Sequence, residues 1–168
     1  MSLTFATPTI SVNMYSDECQ YWLLSPSINL GTGSTLFQLD FDIARTAYSS
    51  SSIGTLHQSP NARFVVLIST DNGQTWNNTG ILMDWNNSSG TPFSSLNNTL
   101  QTQSIPLYDS VAMAPYTGIV RFAFYAYEND PNYIYDNDLH IDNFQVIPYN
   151  SCPKPTNLTT TNITLNSI

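Results

Sequence analysis

Residues Arg63 to Trp76 read RFVVLISTDNGQTW, and this stretch decides the fold class. Its first seven residues form a nearly continuous apolar and β-branched run, which is typical of a central strand covered on both faces. The Asn72-Gly73 pair that follows tolerates positive φ and favours a tight turn. We therefore expect a strand that ends in a hairpin corner, where Asp71 accepts backbone hydrogen bonds and the Trp76 ring covers the turn.

Strand patterns recur on both sides of this stretch, whereas no segment has a convincing helical period. The segment Leu36 to Ala44 alternates Leu39, Phe41 and Ile43 with Gln38, Asp40 and Asp42, as a strand with one polar face does. The other predicted strands are Thr9 to Tyr15, Tyr21 to Leu30, Gly118 to Tyr127 and Leu139 to Ile147. Pro26 interrupts the second of these, which suits an edge strand or a bend. Short strands between turn-rich segments predict an all-β sandwich.

Composition and charge favour one exported domain. The chain is 41% hydrophobic and 12% aromatic, which suffices for one core. Its 168 residues are too few for two complete domains. Four Lys and Arg residues against 12 Asp and Glu residues give a net charge of −8, which repels nucleic acid and anionic membranes and favours divalent cations. No segment approaches the roughly 20 apolar residues that span a bilayer. Polar positions filled by Ser, Thr and Asn predict an extracellular or cell-surface location.

The character of the chain changes after Pro148. We expect residues 1–148 to form the folded domain and residues 149–168 to form a linker and a truncated further domain. The tail resembles the opening of a fibronectin type III domain, because Pro153-Lys154-Pro155 is followed by Asn157-Leu158-Thr159. We therefore expect the chain to belong to a larger secreted protein whose other domains are its neighbours.

Two cysteines, Cys19 and Cys152, lie near opposite ends of the chain. In an oxidising compartment a disulfide between them would join the first and last strands, and a loop of this length stabilises by about 4–5 kcal/mol in the chain-entropy model. Two unrelated thiols are the alternative, and the sequence leaves both open.

The turn motif Ser69-x-Asp71-x-Gly73-x-Thr75-Trp76 is known as an Asp-box from sialidases and other secreted β-proteins. A sialidase needs a propeller of about six four-stranded blades with several boxes, and this chain has one box. It also needs an arginine cluster, whereas the arginines here are only Arg45, Arg63 and Arg121. We therefore interpret Asp71, Gly73 and Trp76 as structural and expect no catalytic residues.

Acidic residues are the main candidates for a metal site. They are Asp17 and Glu18, Asp40 and Asp42, and the group Glu128, Asp130, Asp136 and Asp138 ahead of Asp142. Oxygen-rich acidic loops suit Ca²⁺, which binds six to eight hard oxygen ligands. A carboxylate pair for glycoside hydrolysis and a solvated acidic loop are the alternatives. The two histidines, His57 and His140, have no zinc spacing and are interpreted as surface residues.

Aromatic residues are the candidates for ligand contacts. If Trp85, Tyr133 and Tyr135 are exposed, they would stack on sugar rings or anchor a protein partner. Tyr125 and Tyr127 are expected to be at least partly buried.

Five segments in order, YWLLSPSINL, LFQLDFDIA, VVLISTDNGQTW, GIVRFAFYAY and LHIDNFQVIP, resemble the MAM-like jelly-roll domains of secreted Bacteroidetes proteins, the cleaved-adhesin or choice-of-anchor type. The resemblance covers most of residues 20–148 and implies two antiparallel sheets in a jelly-roll sandwich. It also implies structural calcium, with Asp142 as the first ligand candidate, Asp17 or Glu18 as its partner, and Asp40 as a further candidate.

The resulting expectation is a non-catalytic extracellular binding or adhesion module of a multidomain protein, stabilised by calcium and contacting a glycan or a protein. The alternatives are a glycoside hydrolase that uses carboxylates of the Glu128 to Asp142 region, and a passive spacer domain.

Overall fold

The computed structural model describes residues 9–15, 19–53, 61–129 and 136–149. Within these ranges the chain is almost entirely β-structure, and its only helices are two 3-10 turns, Asn78–Gly80 and Phe93–Ser95. The strands are β1 (Ile10–Met14), β2 (Cys19–Leu24), β3 (Ile28–Asn29), β4 (Phe37–Ala47), β5 (Arg63–Ser69), β6 (Ile81–Asn86), β7 (Gln101–Pro106), β8 (Tyr108–Asp109), β9 (Ala114–Pro115), β10 (Ile119–Glu128) and β11 (Asn137–Pro148). In this part of the chain no helix has the length and apolar character of a membrane span.

The strands form two antiparallel sheets that pack face to face. The first sheet has the order β1-β11-β4-β7, and the second has the order β2-β10-β5-β6 with β3 also beside β10. Strands β8 and β9 form a separate small hairpin. The predicted class, an all-β, two-sheet antiparallel sandwich of the jelly-roll type, is confirmed.

Alternate residues of both sheets meet in one core. Leu39, Phe41 and Ile43 of β4 are completely buried, as their period-2 pattern predicts. Phe41 meets Phe124 of β10 edge to face, with ring centroids 5.1 Å apart and an interplanar angle of 80°. Edge-to-face contact is a favoured arrangement of aromatic pairs, and it joins the two sheets at the centre of the core.

The predicted break at Pro26 lies on the edge of the second sheet. Strands β2 and β3 both pair with β10, so that they form one edge strand interrupted at residues 25–27. Ser25 bridges the interruption, because its backbone N–H donates to the Phe122 carbonyl and its hydroxyl accepts the Phe122 N–H, both at 2.9 Å. The break therefore costs the sheet edge few hydrogen bonds, and β2 keeps its register along β10.

The sequence pattern does not predict strands β6 and β7. Strand β7 reads QTQSIP and lies on the edge of the first sheet, where one of its faces is exposed. Strand β6 pairs with β5 through an irregularity between Val66 and Leu67. Neither segment carries the apolar alternation that identifies a strand from sequence alone.

Candidate functional site

The Asp-box closes the corner that follows β5. Asn72 and Gly73 adopt positive φ values of 61° and 83°. The Asp71 carboxylate accepts the backbone N–H groups of Gln74 and Thr75, each at 3.0 Å, and the Thr75 hydroxyl at 2.6 Å. These contacts are local to the turn, and they hold its backbone in place as an Asx-type cap does.

The ionised form of Asp71 stabilises this turn. Hydrogen bonds from Ser69, Thr75 and Gln74 hold the pKa of Asp71 well below its usual range. A carboxylate whose pKa is lowered by folding contributes stability above its unfolded pKa of about 3.9, and this stability is lost as the pH falls towards the folded pKa. We expect Asp71→Asn to lower Tm at neutral pH and to flatten the fall of Tm below about pH 4. The comparison is Asp109→Asn, which removes a carboxylate that accepts the Val111 and Ala112 N–H groups in the β8–β9 turn and should keep the acid-side fall of Tm that Asp71 causes. Identical pH profiles for Asp71→Asn and the parent chain would contradict the assignment.

The outer face of the second sheet carries a row of aromatic rings, called here the aromatic face and formed by Trp22, Trp76, Tyr125 and Tyr127. The Trp22 ring lies 4.4 Å from that of Tyr125 and 6.1 Å from that of Trp76, measured between centroids. The Tyr125 and Tyr127 rings are 6.4 Å apart and nearly parallel, at 17°. Trp22 remains 47% exposed, so that the row is open to a ligand.

Strand pairing brings these rings together from distant parts of the sequence. In β10 the even-numbered residues from Val120 to Ala126 face the core, and Tyr125 and Tyr127 therefore face outward. Trp22 of β2 lies directly opposite Tyr125 in the register. Beneath the rings, Val65, Leu67 and Ala123 form a small buried cluster that supports Trp76 and Tyr125 from below.

An ion pair borders the aromatic face. Arg63 of β5 donates from Nε to both Asp84 carboxylate oxygens, at 3.1 and 3.2 Å, and from Nη2 to Oδ2 at 2.7 Å. Hydrogen bonding to Asp84 raises the pKa of Arg63, against the effect of burial. Burial opposes ionisation of Asp84, but hydrogen bonds from Arg63 and Asn86 outweigh it and lower the pKa of Asp84. Both groups are therefore charged at neutral pH.

A cleft of about 500 Å³ lies beside Arg63 and the two tyrosines. Its lining consists mostly of polar side chains next to the two rings: Asn61, Arg63, Asn86, Ser88, Ser89, Tyr125 and Tyr127, with Ala62. Flat rings beside hydrogen-bonding groups suit a ligand that has both apolar faces and hydroxyl groups.

The prediction of Trp85 as a ligand contact is wrong. Trp85 is only 1% exposed, and its ring packs between Phe41 at 6.4 Å and Phe64 at 5.7 Å. Tyr133 and Tyr135 lie outside the described residues, and their proposed contacts stay predictions. The site residues that the sequence did not reveal are Trp22, Arg63 and Asp84.

The predicted calcium ligands fall partly on the outer face of the first sheet. Asp142 lies directly opposite Asp42 in the register, next to a β-bulge at Asn143. The Asp42 carboxylate accepts the Thr102 hydroxyl and the Asn143 side-chain amide, each at 2.6 Å, and Asp40 accepts the Gln38 amide at 2.8 Å. Asp17 and Glu18 lie outside the described residues. Across the described ranges no group of three or more His, Cys, Asp or Glu is placed to hold a metal ion, and calcium stays a prediction.

The other acidic residues take structural positions. Glu128 is 1% exposed on the core side of β10. Asp136 and Asp138 both accept the side-chain amide of Asn13, at 2.7 and 3.0 Å. His140, predicted as a surface residue, is half-buried on the outer face and contacts the Thr46 hydroxyl at 2.9 Å. Burial lowers the pKa of His140, against the effect of the Asp138 charge.

The predicted disulfide cannot be placed, since Cys152 and the side chain of Cys19 lie outside the described part of the chain. The backbone of Cys19 begins β2 on the edge of the second sheet.

Comparison of the chain with protein-family models gives no match, and neither does comparison with curated proteins. The resemblance to MAM-like domains therefore stays a hypothesis that rests on the quoted segments. The functional interpretation therefore depends on the residues of the aromatic face.

Proposed function

We propose that this domain is a non-catalytic extracellular binding module that holds a glycan on its aromatic face. The observation that carries the proposal is the Trp22 ring, which is 47% exposed and lies 4.4 Å from the Tyr125 ring. Trp76 lies next to Trp22 on one side, and Tyr127 lies next to Tyr125 on the other, so that the four rings form one row. An exposed tryptophan offers a large rigid apolar surface at a low cost in conformational entropy. The C–H face of a pyranose ring is a flat apolar surface of matching shape.

The polar edge of the face favours a glycan over a protein partner. The cleft beside Tyr125 and Tyr127 is bordered by Ser88 and Ser89, whose hydroxyls offer hydrogen-bond donors and acceptors. Asn86 also borders it but is buried, and its side-chain oxygen accepts the backbone N–H groups of this loop. Sugar hydroxyls need such partners on every side of the ring, because an unsatisfied buried hydroxyl weakens binding. The core of a protein–protein interface is instead depleted in serine and charged residues.

The same cleft supports binding rather than hydrolysis. Most glycosidases place two carboxyl groups roughly 5–9.5 Å apart on either side of the scissile bond. Among the described residues that line the cleft there is no Asp or Glu, and the nearby Asp84 is bound to Arg63. Glu128, the centre of the hydrolase alternative, faces the core.

A glycan array tests the proposal most simply. The full chain is applied, with calcium present, to an array that holds neutral and acidic polysaccharides. We expect retention on at least one class and no release of reducing ends during incubation. A blank array together with a blank pull-down on matrix proteins would support the passive spacer, and chain cleavage that Glu128→Gln abolishes would support the hydrolase.

Calcium remains part of the proposal, with Asp142 as the first ligand. A ligand at about 100 times its Kd stabilises the folded state by about 2.7 kcal/mol, which corresponds to roughly 5–10 °C in Tm for a domain of this size. We expect a chelator to lower Tm by this amount, added Ca²⁺ to restore it, and Asp142→Asn to abolish the response. Asp109→Asn is the control that should keep the response, and a melting curve that the chelator does not change would exclude structural calcium.

A further inference from the structure

We infer that the Arg63–Asp84 pair makes the cleft at the Tyr127 end of the aromatic face specific for neutral glycans and excludes uronate and other acidic glycans from it. This inference rests on the proposed function and adds the ligand class to it. The pair is accessible, since the Arg63 and Asp84 side chains are 38% and 23% exposed. The two residues of the pair belong to neighbouring rows of paired residues that cross the second sheet.

The register places the ion pair in the same rows as the rings. One row runs Trp22, Tyr125, Val65 and Asp84. The next row runs Gln20, Tyr127, Arg63 and Asn86. A sugar stacked on Tyr127 therefore has its edge beside Arg63, and Asp84 lies one strand further along the same face.

The geometry of the pair suits hydroxyl groups. The Arg63 Nε and Nη2 atoms are both directed at the Asp84 carboxylate, which neutralises the guanidinium charge. The Arg63 Nη1 atom still has N–H groups to donate, and the Asp84 carboxylate, which also accepts the Asn86 side-chain amide at 2.9 Å, has lone-pair capacity for one further donor. A hydroxyl both donates and accepts, and it binds to such a pair without separating the two charges.

A glycan carboxylate meets a different surface. To bind Arg63 it would have to displace Asp84 or lie beside it, and like charges in contact are strongly unfavourable. The other arginines lie away from this cleft: Arg45 is buried, and Arg121 lies at the opposite, Trp76 end of the aromatic face, where it is next to Gly73 and donates from Nε to the Ser25 carbonyl at 2.9 Å. The net charge of −8 adds a long-range repulsion of polyanionic glycans.

The test compares two classes of probe on the full-length chain. Neutral probes are barley β-glucan, xyloglucan and galactomannan, and acidic probes are polygalacturonate, alginate and hyaluronate, all measured by affinity electrophoresis at one salt concentration. We expect the parent chain to bind its best neutral probe at least about tenfold more tightly than any acidic probe. A preference for an acidic probe would overturn the inference.

Two variants change the preference in opposite directions. Asp84→Asn frees the Arg63 charge, and it should weaken neutral binding and reduce the neutral-to-acidic ratio by about tenfold. Arg63→Gln leaves an unpaired carboxylate, and it should weaken acidic binding further. Asp109→Asn makes the same carboxylate-to-amide change outside the face and should leave the ratio unchanged. Melting curves identify any variant that fails to fold, in which case the other variant decides.

The outcomes separate this inference from the proposed function. In one outcome glycans bind and Trp22→Ala removes binding, but neither variant at the ion pair alters the ratio of neutral to acidic binding. The neutral-glycan inference is then wrong, and the proposal that the aromatic face binds glycans is retained. If Trp22→Ala leaves glycan binding intact, the site lies elsewhere and both are wrong.

Discussion

Replacing Trp85 with alanine is expected to lower the free energy of unfolding by about 3–5 kcal/mol. Trp85 is 1% exposed, and it lies against Phe41 of the first sheet as well as Phe64 of its own. The substitution therefore removes buried apolar area and leaves a cavity between the sheets. A domain of ordinary stability has a free energy of unfolding of about 5–15 kcal/mol, so that this single change removes a large share of it.

Urea denaturation measures this effect, with a lower transition midpoint and an unchanged dependence on denaturant as the expected result. Trp22→Ala is the matched control, because it makes the same chemical change at a tryptophan that is 47% exposed. We expect that control to cost much less stability. Equal losses for the two variants would contradict the burial of Trp85 and the exposure of Trp22.

The second large effect concerns binding. Trp22→Ala is expected to weaken glycan binding by at least about 30-fold, which is about 2 kcal/mol and typical of a central aromatic hot spot. Trp22 contacts both Tyr125 and Trp76, and its loss therefore removes one stacking surface and leaves a gap in the row.

Isothermal titration calorimetry with the best neutral polysaccharide of the array measures the loss. Tyr48→Ala is the control, because Tyr48 is 58% exposed but lies in the turn after β4, outside the aromatic face. We expect this control to bind as the parent chain does. Similar losses for Trp22→Ala and Tyr48→Ala would show that binding does not use the aromatic face.

The fold was largely predictable from sequence because the strands of a sandwich alternate. From Phe37 to Asp42 of β4 apolar and polar residues alternate, and Leu39, Phe41 and Ile43 lie in the core as that period requires. In β5 Val65 and Leu67 are buried on the outer face beneath the aromatic residues, which explains why this central strand has an uninterrupted apolar sequence.

The orientation of Trp85 could not be predicted in the same way. Strand β6 reads ILMDWN, and its sequence does not reveal which face its tryptophan takes. The pairing of Trp85 with Phe64 turns the tryptophan inward. The irregularity in the β5–β6 pairing, between Val66 and Leu67, breaks the simple alternation along β6. A shift of one residue in register reverses every side chain, and register is a property of the neighbouring strand.

The aromatic face depends on contacts between residues far apart in the chain. Trp22 and Tyr125 meet only because β2 pairs with β10 in one register. Part of the signal was nevertheless present: with Leu23 facing the core, its neighbour Trp22 has to face outward, as Tyr125 and Tyr127 do in β10. The Arg63–Asp84 contact is a diagonal across β5 and β6, and it could not be derived without β6.

The most direct test of the aromatic face uses the three tryptophans of the chain as reporters. Their indole N–H groups give three signals in a ¹H–¹⁵N correlation spectrum, which Trp→Phe variants assign. On titration with barley β-glucan oligosaccharides we expect the Trp22 and Trp76 signals to move together and the Trp85 signal to stay in place. Binding that leaves the Trp22 and Trp76 signals unmoved, or that moves only backbone signals of β4 and β11, would contradict the account.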